Sequence, residues 1–215
     1  MALRFHDRRD AGRQLAALLT GADLHDPVVL ALPRGGVPVG AEVAAVLHAP
    51  LDVLVVRKIG APGRPEYGIG AIAEGGEPLF DPMAVRGLGI SDAEQARLAD
   101  AARREVERRV ERYRAGRPLP EVAGREVVVI DDGLATGVTA EAALQALAGR
   151  GPRRLTLAVP VCAAASAARL RSVAQVVCVS SPEDFRAVGL WYEVFDQTGD
   201  REVLELLAVH ARART

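Results

Sequence analysis

Short aliphatic runs alternate along the chain with longer segments whose apolar residues recur every three or four positions. The runs at 28–32, 51–56, 127–130, 154–161 and 174–180 have the length of buried strands, and the segments after them have helical spacing. Strands that alternate with helices pair in parallel through right-handed crossovers. The pattern therefore predicts an α/β fold with a parallel twisted sheet of about five strands flanked by helices.

Three segments interrupt this alternation. Residues 59–68 are too rich in Gly and Pro for regular structure, and 69–74 is again strand-like, which predicts a flexible lid closing a β-arm. Residues 91–94 form a capping box that opens a long helix to about 114. The third segment, the tail after 180, concentrates aromatic residues. We predict one domain over 1–215, with a core at about 1–80 and 120–180, an inserted helical segment at about 82–120 and a C-terminal hood at about 181–200.

Composition favours a globular domain. With 215 residues and 49% hydrophobic content the chain can bury a full core, and a net charge of −1 gives no strong attraction to nucleic acid. No apolar run approaches the roughly 18 residues of a membrane span, and no apolar signal region follows Met1. We expect a cytoplasmic protein without membrane association. We also expect Cys162 and Cys178 to be buried thiols, not a disulfide or ligands of a structural metal.

The basic residues divide into two kinds. Arg8, Arg9 and Arg13, on the predicted helix 7–20, are expected to form a solvated face. Lys58, however, is the only lysine among 27 basic residues. In a chain that uses Arg for generic positive charge, a single ammonium indicates a specific task, because the two groups are not interchangeable. With Arg57 it follows the strand 51–56, at the sheet edge where α/β proteins bind ligands.

The stretch 127–139 carries the most specific chemistry. A buried strand ends at two carboxylates, Asp131 and Asp132, and a small-residue loop then enters a helix near Val138. Backbone N–H groups at a helix N-terminus bind anions such as phosphate, whereas acceptor-only carboxylates suit the O–H groups of a vicinal diol. Phosphate plus diol indicates a ribose 5-phosphate. The alternative is a strand that ends in a solvated Asp pair beside a helix cap.

This stretch resembles the phosphoribosyl pyrophosphate (PRPP) signature of the type I phosphoribosyltransferases: a hydrophobic strand, Asp-Asp, two variable residues, then small-Thr-Gly-x-Thr. The resemblance implies the fold of that family. It also implies that Asp131 and Asp132 hold the ribose 2′ and 3′ hydroxyls. The 5′-phosphate would be held by Ala135, Thr136, Gly137, Val138 and Thr139.

The turn at 33–38, after the first strand, matches neither a Rossmann fingerprint nor a Walker loop. It resembles the family's pyrophosphate loop, a basic residue followed by Gly. The resemblance implies that Arg34, Gly35 and Gly36 contact pyrophosphate. The alternative is that Arg34 caps a helix or pairs on the surface.

The lid resembles the mobile catalytic loop of adenine phosphoribosyltransferases, in which an Arg-Lys pair precedes a Glu-Tyr-Gly element, although the spacer here is shorter. The resemblance implies catalytic roles for Arg57, Lys58, Glu66 and Tyr67, with Arg57 and Lys58 also binding pyrophosphate. Several purine-type relatives carry an acid where this chain has Ala135, so Glu66 becomes the candidate acid.

The hood has some likeness to that of hypoxanthine-type enzymes, which implies that Phe185 or Trp191 stacks on a planar acceptor. A small satellite core is the alternative. The resemblance as a whole implies a homodimeric salvage enzyme that transfers 5-phosphoribosyl from PRPP to a nitrogenous base or amine and releases pyrophosphate. Mg²⁺ would be carried by PRPP, not by ligands from the protein.

Two other functions compete with this one. A regulator of the same fold would sense PRPP while binding RNA or a protein partner. Glu residues interleave with Arg along the helix 91–114, which favours ion pairs over a phosphate track, so nucleic acid is not expected. A hydrolase or kinase acting on another sugar phosphate lacks an evident Ser/His/Asp constellation in this sequence.

Overall fold

The computed structural model of the protein describes residues 4–212. Its strands are β1 (Pro27–Ala31), β2 (Leu51–Val53), β3 (Val56–Ala61), β4 (Arg64–Ala73), β5 (Leu79–Phe80), β6 (Glu126–Ile130), β7 (Arg154–Val161) and β8 (Gln175–Ser180). Its helices are α1 (Arg8–Leu19), α2 (Gly36–Val46), α3 (Pro82–Leu88), α4 (Asp92–Arg114), α5 (Val138–Ala148), α6 (Ala164–Leu170) and α7 (Asp200–Arg212), and a 3-10 helix covers Val188–Trp191.

The central sheet has five parallel strands in the order β2-β1-β6-β7-β8, which confirms the predicted fold class. Alternate residues of each strand enter different hydrophobic clusters. Val29 packs with α1, α2 and α7 on one face, whereas Val28 packs with α5 and α6 on the other. Because both faces are covered, the strands are continuous aliphatic runs and not alternating ones.

The arm is a regular β-structure. Strands β3 and β4 pair antiparallel, β5 adds to β4, and only the turn at 62–63 separates β3 from β4. The predicted β-arm is confirmed, but the prediction of an irregular segment at 59–68 is wrong. Glycine permits the pairing in two ways: Gly63 adopts φ 69° in the turn, and a side chain on Gly60 would overlap the Pro65 carbonyl.

Strand β2 ends three residues earlier than the run 51–56 predicts. Arg57 and Lys58 therefore lie on β3 of the arm, and not at the end of a parallel strand. Other boundaries also differ from the sequence prediction. Helix α2 begins at Gly36, inside the segment 33–38 that the sequence predicts to be a turn, and β5 and α3 precede the long helix α4.

Two predicted helix starts are confirmed by their caps. The Asp7 side chain accepts a hydrogen bond from the Asp10 N–H at 2.8 Å, and Ser91 accepts one from the Glu94 N–H at 3.3 Å. Each cap satisfies a donor that the first helical turn leaves free. No helix within residues 4–212 has the length and apolarity needed to cross a membrane.

A third hydrophobic cluster fastens the hood to the N-terminus. Phe5, Trp191 and Tyr192 are buried in it, and Phe5 forms an isolated parallel bridge with Tyr192. Cys162 is buried in the cluster that packs with α5 and α6, as predicted. Cys178 is only partly buried against that cluster, so its predicted burial is wrong, and both cysteines are free thiols.

Candidate active site

A cavity of about 340 Å³ opens where the polypeptide leaves β1 and β6. These strands are neighbours, and the chain crosses from them in opposite directions, to β2 on one side and to β7 on the other. Ligands of open α/β sheets bind at this kind of switch point, outside the carboxyl ends of the strands. Eight residues predicted to form the site line this one cavity: Arg57, Lys58, Asp131, Asp132, Ala135, Thr136, Gly137 and Thr139.

Asp131 and Asp132 follow β6 directly and face the cavity as neighbouring carboxylates. Burial raises the pKa of Asp131 well above its ordinary value, and the Asp132 charge raises it further, whereas Lys58 and Arg8 oppose the shift. Burial also raises the pKa of Asp132, with Arg8 again opposing. The pair therefore carries strong acceptors in a poorly solvated place, where hydroxyl donors of a ligand would satisfy them.

The segment 135–139, which we call the anion loop, presents free backbone donors. None of its five N–H groups donates to an acceptor within residues 4–212. Two of its carbonyls are held from behind by α6: Ser166 Oγ donates to the Ala135 carbonyl at 2.6 Å, and Arg169 Nη2 donates to the Thr136 carbonyl at 2.8 Å. Gly137, at φ 78°, directly precedes α5. This arrangement can bind a phosphate at a helix N-terminus.

Arg57 and Lys58 line the opposite side of the cavity from β3, and both side chains are exposed. Neighbouring residues of a strand point to opposite faces. Arg57 and Lys58 nevertheless both line this first cavity, and both also line a second cavity of about 800 Å³ between the arm and α4. The two cations thus stand at the boundary of two adjoining cavities. They are placed to meet an anion that extends from the Asp pair toward the second cavity.

The turn at 33–36 packs against the back of the Asp pair. A Cβ on Gly35 would overlap the Asp132 carboxylate, and one on Gly36 would lie 2.6 Å from the Ile130 carbonyl oxygen. The Pro33–Arg34 peptide bond is cis. Pro33 lines the cavity, whereas the Arg34 guanidinium lies 3.9 Å from Asp200 on α7. Gly35 and Gly36 therefore adjoin the site, and Arg34 is directed away from it.

Glu66 and Tyr67 lie outside the first cavity. Glu66 lines the second cavity, near the turn of the arm, and Tyr67 is 54% exposed.

The two hood residues predicted to stack on an acceptor, Phe185 and Trp191, do not line the first cavity either. Trp191 is only 7% exposed in the satellite cluster, and Phe185 packs against that cluster, so the hood contributes Val188 to the cavity instead.

Sequence reasoning missed Arg8 at this site. The expectation of a solvated face is wrong for this residue: its Nε donates to Asp132 Oδ2 at 2.8 Å, and the side chain is 13% exposed. The partner lies 124 positions away. No local pattern indicates such a pair, because the helical spacing of α1 does not show where β6 will end.

Among the described residues, no group of three or more His, Cys, Asp or Glu side chains is arranged to hold a metal ion. The cavity offers the two carboxylates of Asp131 and Asp132 as its anionic oxygens. A divalent ion needs about six oxygens. The donor set therefore fits an ion that brings most of its ligands with it.

Comparison with known proteins identifies relatives across nearly the whole chain. A family model described as a phosphoribosyl transferase domain matches residues 4–194. Two Mycobacterium tuberculosis proteins, from strains CDC 1551 and H37Rv, carry the provisional name phosphoribosyl transferase. Each is 47% identical over 204 residues, which is 94% of this chain but 46% of the relative. The chain thus spans about half the length of these curated relatives.

Solved structures share the fold. The crystal structure of TT1426 from Thermus thermophilus is 47% identical, with a TM-score of 0.81, and the match covers 95% of this chain and 98% of that one. A hypothetical protein from Neisseria gonorrhoeae with bound ppGpp is 14% identical, with a TM-score of 0.53 and 96% coverage of each chain. The second match indicates a common fold only.

Proposed function

The chain belongs to the phosphoribosyl transferase family, and on that premise we propose that it transfers the 5-phosphoribosyl group of PRPP to a nitrogenous base or amine. Pyrophosphate is the leaving group. One observation carries the proposal: a carboxylate pair, a loop of free N–H groups and two cations line one cavity at the switch point of the sheet. These groups match the diol, the 5′-phosphate and the pyrophosphate of PRPP in turn.

The anion loop is the proposed 5′-phosphate site. Its five N–H groups have no acceptor among the described residues, and the hydroxyls of Thr136 and Thr139 lie in the same segment. The N-terminus of α5 adds partial positive charge. Asp131 and Asp132, which lie between β6 and the anion loop, are the proposed acceptors for the ribose 2′ and 3′ hydroxyls. Their desolvation supports this role, because a diol supplies the donors that solvent does not.

The proposed pyrophosphate site lies between the turn at 33–36 and the arm. The N–H groups of Arg34 and Gly35 donate to no acceptor within the described range. Arg57 and Lys58 supply positive charge from the other side. As the bond from C1′ to the pyrophosphate oxygen breaks, negative charge develops on the leaving group and positive charge on the ribose. Preorganised donors and cations at the leaving group stabilise that transition state.

Mg²⁺ is proposed to enter with PRPP, which fits the small donor set of the cavity. When bound, the ion would neutralise part of the pyrophosphate charge. The residues of the chain would then orient the diol and the 5′-phosphate. Holding both ends of the ribose fixes C1′ relative to an acceptor nitrogen.

The candidate acid Glu66 stands at the second cavity, so its proposed role requires the arm to close toward the Asp pair. Closure would also exclude water from the activated sugar. Unchanged turnover of Glu66→Gln across pH would remove Glu66 from the mechanism. The acceptor is proposed to be a nitrogenous base or an amine. It would bind in the first cavity, which Val188 of the hood lines. A homodimer acting in cytoplasmic nucleotide salvage is part of the same proposal.

The side chains of α4 argue against the alternative function, a PRPP-sensing regulator that binds RNA. Several arginines of α4 pair with acids on the same helix: Arg108 and Arg109 both pair with Glu105 at 2.8 Å, and Arg103 pairs with Asp100 at 2.9 Å. Paired guanidinium groups are less available to phosphates than free ones.

Calorimetric titration of Mg·PRPP tests the proposal. Wild type is expected to bind PRPP in preference to ribose 5-phosphate and ATP, and the double variant Asp131→Asn/Asp132→Asn to lose roughly 100-fold or more in affinity, because the diol acceptors are weakened. The exposed acidic pair of the hood gives a matched control, Glu183→Gln/Asp184→Asn, which should bind normally. Pyrophosphate release with a panel of bases and amines then identifies the acceptor. Binding of RNA that PRPP reverses, with no pyrophosphate release, would favour the regulator.

A further inference from the structure

We propose that Arg8, on the first turn of α1, is a positioning residue that holds Asp132 in place for the ribose diol and ties it to the C-terminal hood. This role rests on the proposed function. Arg8 does not line the cavity, and it would act only through Asp132.

The Arg8 guanidinium is fixed on three sides. Its Nε donates to Asp132 Oδ2 at 2.8 Å, and its Nη1 donates to the Asp196 carbonyl at 2.6 Å. Its central carbon lies 3.9 Å from the centre of the Phe195 ring. The side chains of Arg8 and Asp132 are 13% and 17% exposed, so solvent screens this ion pair only weakly. A planar guanidinium held in this way fixes the orientation of its carboxylate.

The ion pair between Arg8 and Asp132 places the two carboxylate oxygens of Asp132 in different surroundings. Oδ2 faces Arg8 and the back of the site, where it fills the space left by Gly35. Oδ1 accepts from no group within residues 4–212, although Asp132 lines the cavity. Arg8 therefore occupies one oxygen and leaves the other for a substrate hydroxyl.

The hood holds Asp132 by a second contact. The Tyr192 hydroxyl donates to the Asp132 carbonyl at 2.6 Å, and the rings of Tyr192 and Phe195 lie 4.9 Å apart. Phe195 in turn supports Arg8. Both ends of the residue, its carboxylate and its carbonyl, are thus connected to the hood, which also carries Val188 at the cavity.

Charges on every side determine how Asp132 titrates. Arg8 faces it from α1, Asp131 precedes it directly after β6, Tyr192 reaches it from the hood, and Lys58 on β3 acts on Asp131 beside it. Burial raises the pKa of Asp132, and Arg8 opposes that rise. Loss of Arg8 would let the pKa rise further. The ionised acceptor, and with it PRPP binding, would then be lost at a higher pH than in wild type.

The test titrates Mg·PRPP into wild type, Arg8→Gln, Arg8→Lys and the control Arg9→Gln from about pH 5 to pH 8. Arg9 adjoins Arg8 in sequence but pairs with Glu42 at 3.5 Å, with half of its side chain exposed. Arg8→Gln is expected to weaken binding roughly 10-fold or more at neutral pH and to move the acidic limb of the binding curve to higher pH. Arg8→Lys should restore part of the limb, and Arg9→Gln should change neither quantity.

The background variant Asp132→Asn separates positioning from a general loss of structure. If Arg8 acts through Asp132, adding Arg8→Gln to Asp132→Asn should weaken binding little further. Should Arg8→Gln fail to fold, Phe195→Leu keeps the charge, removes the ring beneath it, and should weaken binding several-fold. A wild-type pH limb and affinity in Arg8→Gln, or equal weakening in both backgrounds, overturns the positioning role. Absence of Mg·PRPP binding by wild type overturns the proposed function, and the role of Arg8 with it.

Discussion

At the scale of single residues, the candidate site holds two carboxylates that burial makes difficult to ionise and that nearby cations stabilise only in part. Asp131 and Asp132 are adjacent carboxylates in a poorly solvated cavity, and each is more costly to ionise there than in water. Binding groups of this kind reduce the stability of the free protein, because they are arranged for a ligand and not for the fold. The compensation from Arg8 and Lys58 is partial, since the pKa of Asp131 stays well above its ordinary value.

Asp131→Asn is expected to stabilise the free protein at neutral pH while it weakens Mg·PRPP binding. The pKa of Asp131 is raised in the folded state, so the folded protein holds this proton more tightly than the unfolded chain does. The free energy of unfolding therefore falls as pH rises from the ordinary value of 3.8 through the raised pKa. Removing the ionisable group should increase that free energy by roughly 1 kcal/mol at pH 7.

Thermal unfolding as a function of pH measures this effect. The matched control is Asp184→Asn, which changes an exposed carboxylate of the hood and should leave the curve as in wild type. The variant at 131 should gain least at low pH, where Asp131 is protonated in both states. A gain that persists undiminished at low pH would contradict the electrostatic explanation.

At the scale of elements, backbone turns bring the site together. The turn between β1 and α2 lies directly against the Asp pair, and only glycine fits at 35 and 36. The sequence indicated these glycines as a ligand loop, by resemblance. The structure adds a physical reason for Gly35: its missing side chain is the space that the Asp132 carboxylate occupies.

Gly35→Ala should weaken Mg·PRPP binding by roughly 10-fold or more, because the methyl group displaces Asp132 from Arg8. Gly149→Ala is the matched control. It lies at the end of α5 with φ −66° and open space around it, so the same added methyl should be neutral. Calorimetric titration of both variants at equal protein concentration makes the comparison. Equal affinities would show that the carboxylate tolerates the displacement.

The arm shows where element prediction from sequence reached its limit. Gly and Pro between 59 and 68 indicated an irregular lid, because both are uncommon within strands. Strand pairing decided otherwise: β3 and β4 satisfy each other's backbone groups, and β5 lies alongside β4. Glycines at 60 and 70 sit where a neighbouring strand approaches closely. Such pairing depends on contacts that no single window of sequence contains.

At the scale of the whole molecule, a buried ion pair joins the long helix to the core. Arg114, the last residue of α4, is 1% exposed, forms an ion pair with Glu74 after β4, and donates to the Val53 carbonyl at 3.2 Å. The helix, the arm and the parallel sheet therefore meet at one guanidinium. The chain returns from this point toward β6 and the Asp pair.

Arg114→Ala is expected to destabilise the protein by about 3 kcal/mol, because it leaves the largely buried Glu74 without its partner. For a chain of this size that loss lowers Tm by roughly 6 to 12 °C. Arg104→Ala, an exposed position on the same helix, should stay within about 0.5 kcal/mol of wild type. Denaturant unfolding gives both values, and PRPP binding well below Tm should be unaffected in each variant. A wild-type Tm for Arg114→Ala would show that the pair is not a structural tie.

The sequence by itself determined the parallel α/β sheet, the family and most of the sequence segments that line the cavity. It could do so because β1, β6 and the loops after them are contiguous segments, and strand ends in a parallel sheet converge on one edge. Only the tertiary structure decided which distant side chains complete the site. It placed Arg8 beside Asp132, buried Trp191 in the satellite cluster and turned Arg34 toward Asp200. These outcomes depend on how separate elements pack, which local periodicity and residue type do not specify.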